Sequence, residues 1–191
     1  MEEGEKNNNE VKHKTSIFKH SSLYGSYLGL LISLFYVLFY IFTELKERHP
    51  LFSILIYIFI ILLIIIGSKK LRDIEGGEIS YFRSFWCGVL IVFFGMIIYG
   101  FIYYLFLTFV PSYYYNLKEL SLNILEEQLE ISGYDDDFID KLIEQYNLIY
   151  TRGFIFFSIV FFYTIVSVFI SSITSIFIRR RNITLDDYVE H

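Results

Sequence analysis

Residues 72–111 read RDIEGGEISYFRSFWCGVLIVFFGMIIYGFIYYLFLTFVP, and the two parts of this stretch behave differently. A charged start holding Gly76-Gly77 leads through Ser80 into an apolar run that stops at Pro111. We read it as a cytoplasmic connection feeding the third of four membrane-spanning helices. Gly76-Gly77 permits a turn with positive φ, which costs glycine nothing. Ser80 is placed to cap the third helix, because a serine hydroxyl accepts from a free amide of the first turn. A phosphate loop built on Gly76-Gly77, Arg72 and Arg83 is the sharper alternative, but the stretch lacks the spaced glycines and Lys-Ser/Thr of a nucleotide loop.

Working outward, the apolar residues fall into four blocks: Leu23 to Phe42, Leu51 to Gly67, Phe85 to Phe109 and Phe154 to Ile178. None contains Asp, Glu, Lys, Arg or His. A spanning helix needs about 20 apolar residues to cross roughly 30 Å of hydrocarbon. A soluble core helix would show a polar stripe, and these blocks show none. The expected fold is an all-α polytopic membrane protein with four transmembrane helices. An extracytoplasmic acidic helical hairpin is expected between the third and fourth. Residues 1–20 read as a disordered cytoplasmic tail, 21–181 as the transmembrane domain with its helical segment at 112–151, and 182–191 as a second cytoplasmic tail. The first block is longer than the apolar region of a signal peptide and no small-x-small site follows it, so it is expected to stay.

The chain has no alanine, so close helix packing must rest on Gly and Ser. Ser21, Gly25, Gly29 and Ser33 recur every four residues in the first block. Such a ladder lets another backbone approach, and packing inside the chain is preferred to a homodimer seam. Pro50 suits the first turn of the second helix, after a short loop at Thr43 to His49. That second block is largely Ile and Leu and looks lipid-facing, with Lys69 and Lys70 snorkelling at its end. Ser84, Gly88 and Gly95 form a close-packing stripe on the third, with Gly100 further along. Tyr99, Tyr103 and Tyr104 read as an interfacial aromatic belt, a polar ligand cavity being the alternative. Phe85 to Phe109 would be about 37 Å long, so it tilts or protrudes. Ser167, Ser171 and Ser175 repeat every four residues in the fourth, with Thr164 and Thr174 beside them.

From Asn116 to Tyr150 the pattern turns amphipathic. Leu117, Leu120, Ile124, Leu125 and Leu129 mark one helix, Gly133 breaks it, and Phe138, Leu142, Ile143 and Tyr146 mark a second. Asp135, Asp136 or Asp137 is expected to cap that second helix. Adjacent carboxylates without a nearby histidine are not the alternating ligands of a calcium loop, so capping is preferred to metal binding.

The formal net charge is −5, and no loop joins a broad basic patch to accessible aromatics, so nucleic acid is not an expected partner. A single cysteine, Cys87, excludes an intramolecular disulfide. His13, His20 and His191 read as tail residues and His49 as a loop residue, leaving no Ser/His or Cys/His pair. No catalytic, cofactor-binding or metal-ligating residue is assigned and no cofactor is expected. Eleven Lys and Arg fall on the side of the two termini and the second connection, against five on the other. The positive-inside bias therefore puts both termini in the cytoplasm and the acidic hairpin outside. Asn182-Ile183-Thr184 is then a chance glycosylation match.

The Gly-Gly-x-Ile-Ser lead into the third span, the aromatic exit to Pro111, the acidic helical segment and the basic end of the fourth span together resemble one family. It is the bacterial inner-membrane family catalogued as domain of unknown function 4199. Gly76, Gly77, Ile79, Ser80, Phe85, Gly88, Pro111 and Gly133 carry the resemblance, which covers roughly Ser21 to Arg181. This chain has serine where the family's fourth span usually has glycine or alanine. The resemblance implies location in the bacterial inner membrane and implies no activity.

Without intramembrane charge, which normally marks ion and proton pathways, the expected role is non-enzymatic. It is an accessory or scaffold subunit in the lipid bilayer, with a homo-oligomer or membrane protein as partner. The alternative is a transporter or channel component for an apolar or lipidic solute. The third reading, an extracytoplasmic metal-dependent enzyme, has the least behind it.

Overall fold

The computed structural model describes residues 16–43 and 50–179. The described residues form six helices and no strand: α1 (Ile17–Thr43), α2 (Pro50–Ile74), α3 (Tyr81–Phe109), α4 (Pro111–Ile131), α5 (Asp136–Ile149) and α6 (Arg152–Ile178). Four of them, α1, α2, α3 and α6, are long and apolar enough to cross a membrane. The polytopic all-helical architecture is as expected. Residues Met1–Asn9, Lys12, Lys14, most of the first loop, Arg180, Arg181 and the Asn182 sequon lie outside the described residues.

Each spanning helix runs beyond its uncharged block. Helix α1 begins at Ile17, inside the stretch expected to be a tail, and α2 continues past Gly67 to Ile74. Lysines at these ends keep the helix because their stems follow the apolar surface while the ammonium reaches water. His20 is consequently no tail residue. It is buried on α1, where its Nε2 donates to the Gly67 carbonyl of α2 at 2.9 Å.

Helix α3 is the hub and packs against α1, α2 and α6. Half of its apolar window (50%) is buried, against 11% for the peripheral α6. Glycine makes this possible. A Cβ on Gly29 would stand 2.5 Å from the Gly95 carbonyl oxygen, and one on Gly25 would stand 2.8 Å from the Ile91 carbonyl oxygen. The α1 ladder is therefore filled by α3 of the same chain, as preferred, and not left open as a dimer seam. The α3 stripe serves two neighbours: Gly95 meets Leu28 of α1, while Gly88 meets Ser171 of α6.

Helix α2 departs from its expected lipid-facing character. Ile56, Ile60, Ile64, Ser68 and Leu71 are buried along one face at helical spacing. Uniform Ile/Leu composition hides that face in the sequence.

The connections follow local chemistry. Gly76 and Gly77 take φ values of 89° and 93°, making the turn between α2 and α3. Ser80 caps α3 by accepting from the Arg83 amide at 3.4 Å, and the Arg83 side chain pairs with Glu75 across the turn. Arg72 donates to the Ile178 carbonyl at 3.4 Å, which ties this turn to the C-terminal end of α6. After Val110, Pro111 starts α4 at once, five residues before the helix expected from Asn116. Proline lacks only an amide that a first turn leaves unpaired, so the chain resumes its helix immediately. Gly133, with φ of 75°, ends α4. Asp135 is the N-cap residue of α5, with Asp136 and Asp137 in its first turn, where carboxylates meet the positive end of the helix dipole. The Asp135 side chain itself makes no cap bond. Lys118 of α4 donates to the Asn147 carbonyl of α5 at 3.0 Å.

Candidate functional site

Side-chain size varies along the spanning helices. Toward the end marked by the Gly76-Gly77 turn they carry Ser21, Gly25, Gly67, Ser68, Ser84, Gly88 and Ser171. Toward the opposite end they carry Tyr36, Phe39, Tyr40, Phe52, Tyr99, Tyr103 and Phe106. Small residues let backbones approach closely, and rings fill more of the space between helices.

At the end near the Gly76-Gly77 turn the buried polar groups bind one helix to the next. Ser21 Oγ donates to the Cys87 carbonyl at 3.3 Å, and Ser175 Oγ donates to Ser84 Oγ at 3.2 Å. Ser167 turns back to the Thr164 carbonyl at 2.7 Å. Cys87 is fully enclosed here, consistent with a packing role. Of the α6 serines, Ser167 thus bonds within its helix and Ser175 across to α3, while the Ser171 hydroxyl packs against Gly88 without a hydrogen bond.

The opposite end holds a cavity of about 470 Å³. Twelve of its 17 lining residues are aromatic and none is charged. Tyr36 and Tyr40 come from α1, Phe52 and Ser53 from α2, and Tyr99 and Tyr103 from α3. Tyr113 of α4 and Tyr146 of α5 close one side with Tyr150, and Phe154, Ser158 and Phe162 of α6 complete the wall. Tyr99 and Tyr103 are 5% and 8% exposed, so they are not the interfacial belt first expected; the cavity alternative describes them. Tyr104 alone of the three points outward.

The rings brace one another. Tyr99 and Tyr103 stack with centroids 5.9 Å apart, and Tyr36 meets Tyr103 edge-on at 5.0 Å and 84°. Such pairs add about 0.5–1.5 kcal/mol each beyond simple contact. The Tyr36 hydroxyl is enclosed, with Tyr113 beside it but no well-formed hydrogen bond. The base is fixed by Arg152, which donates to the Leu107 carbonyl at 3.1 Å and lies 4.4 Å above the Tyr114 ring. The Tyr114 hydroxyl donates to the Tyr150 carbonyl at 2.9 Å. Ser53, Phe154, Ser158 and Phe162 are exposed, which places the rim on α2 and α6. Below it the two helices meet through Tyr57 and Tyr163, 6.0 Å between centroids.

Asp135, Asp136 and Asp137 lie apart from this cavity, in the α4–α5 turn and the start of α5. Sequence reasoning singled out Tyr99 and Tyr103 but missed Tyr36, Tyr113, Tyr146, Tyr150 and Tyr163. Rings occur along every span and in α4 and α5, so their positions in the sequence did not single these out.

Fold and cavity together define a multi-pass α-helical membrane protein with an uncharged, aromatic-walled cavity. The chain belongs to the family described as Protein of unknown function (DUF4199), whose model matches residues 23–180. No curated protein and no solved structure matches the chain.

Proposed function

We infer that this protein is a non-enzymatic accessory protein of the bacterial cytoplasmic membrane that takes an apolar or lipidic solute into the tyrosine-lined cavity. One observation carries the reading: a void of about 470 Å³ among the spans is walled by rings and hydroxyls, with no charge. Its volume falls in the range of small-molecule sites, roughly 300–1,000 Å³. Of the two roles expected from sequence, the solute-binding one gains a place to act. The scaffold role loses the ladder on α1 as a seam, because α3 occupies it.

The positive-inside count puts both termini in the cytoplasm, the cavity in the outer half of the membrane and the acidic α4–α5 segment outside. The test is chemical. Protein purified from native membranes should carry an extractable apolar molecule near stoichiometric amount, and Ser158→Trp, which fills the rim from an exposed position, should not. Equal content in both proteins overturns the reading. Impermeant labelling of engineered cysteines at each terminus should require opened vesicles. Reaction at one end of intact vesicles overturns the orientation.

A further inference from the structure

The cavity walls say more about the solute than that it is apolar. We propose that its occupant is an uncharged amphiphile whose flat ring head carries acceptor oxygens, the chemistry of a lipid-soluble quinone, held with that ring against Tyr36 and the Tyr99–Tyr103 stack. The inference rests on the solute-binding reading and names the class of solute.

Three observations lead there. The lining is charge-free, so an anionic or cationic head would lose its hydration with no counter-charge in the walls. The walls present ring faces and ring edges in stacked and perpendicular arrangement, which reward a flat π-system over a bare acyl chain. The enclosed Tyr36 hydroxyl has Tyr113 beside it but no well-formed hydrogen bond, so it can donate to an acceptor oxygen on the solute. A quinone-type oxygen accepts and carries no proton of its own to place, so it answers that donor directly. An alcohol head could also meet the lining hydroxyls, which both donate and accept, but it offers the ring faces no flat surface to stack on.

The tail follows from the rim. The exposed lining residues Ser53 and Ser158 stand on α2 and α6, and Phe154 and Phe162 beside them are 40% and 54% exposed. On a spanning helix those exposed rings face lipid. A ring head inside the cavity leaves its tail running out between α2 and α6 into the hydrocarbon, and the solute enters from the bilayer side.

The experiment uses the full chain in neutral phosphatidylcholine nanodiscs and measures calorimetric binding of two probes. One is a benzoquinone bearing a decyl tail; the other is decanol. The quinone should bind saturably and at least tenfold more tightly than the alcohol. Tyr36→Phe should weaken the quinone about tenfold while leaving the thermal midpoint unchanged or raised, which separates a ligand contact from a structural role. Ser158→Trp, checked for helicity and monodispersity, should abolish binding. Decanol binding as tightly as the quinone, or no effect of Tyr36→Phe, overturns the ring assignment and leaves the solute-binding function standing. Binding of neither probe, or quinone binding unchanged in Ser158→Trp, overturns both.

Discussion

At Gly29 the Gly95 carbonyl is so near that a single methyl group has no room, and the obstacle is backbone on the other helix. Gly29→Ala should therefore destabilise the fold by about 1–3 kcal/mol, the range of overpacked sites, because α1 must back away from α3. Gly153→Ala is the control, since nothing but Thr151 Oγ1 at 3.9 Å lies near. Reversible unfolding in mixed micelles measures both. Tyr36→Phe should leave stability unchanged or raise it by about 1 kcal/mol, since it removes a buried hydroxyl that has no well-formed hydrogen bond. The glycines were legible in the sequence because an alanine-free chain leaves few ways to pack closely. Tyr36 was not, because burial of one ring depends on rings contributed by α2 and α3.

Elements differ in how openly they declare their packing. Helix α3 stands out in the sequence through its capped start, its glycines and its proline stop, and it is the hub. The buried side of α2 is invisible there, since Ile64 and Ile66 are the same residue, yet one is 1% exposed and the other 50%. Ile64→Ala should cost about 1–3 kcal/mol and Ile66→Ala close to nothing in the same unfolding measurement. The cost stays below that of a water-soluble core because lipid removes the transfer part and leaves the lost contacts. Turn geometry also acts at this scale. Gly77 has φ of 93° and open space around it, so Gly77→Ala is purely a conformational penalty, about 1–2 kcal/mol.

Across the whole molecule, side-chain size governs how closely the spans approach. The cavity sits where buried rings of α1, α2, α3 and α6 converge, while glycines and serines fill the helix contacts nearer the Gly76-Gly77 turn. That arrangement predicts selective chemistry along α6. In a Cys87→Ser background and in detergent, Ser158→Cys should react faster with a membrane-permeant maleimide than Ser171→Cys, since Ser158 is exposed and Ser171 fully buried. Equal rates, followed by mass shift, would contradict the burial of Ser171 between α6 and α3. The spans and their order could be read from composition alone because lipid demands long uncharged stretches. The cavity could not, because it is a property of six helices meeting.

The tie between the Arg72 guanidinium and the last carbonyl of α6 has a mechanical consequence. Together with the glycine contacts it fastens the spans at the end near the Gly76-Gly77 turn. The opposite end is tied by Arg152 to the Leu107 carbonyl and by Tyr114 to the Tyr150 carbonyl, so the spans are fastened near both faces and the rings of the cavity lie between fixed points.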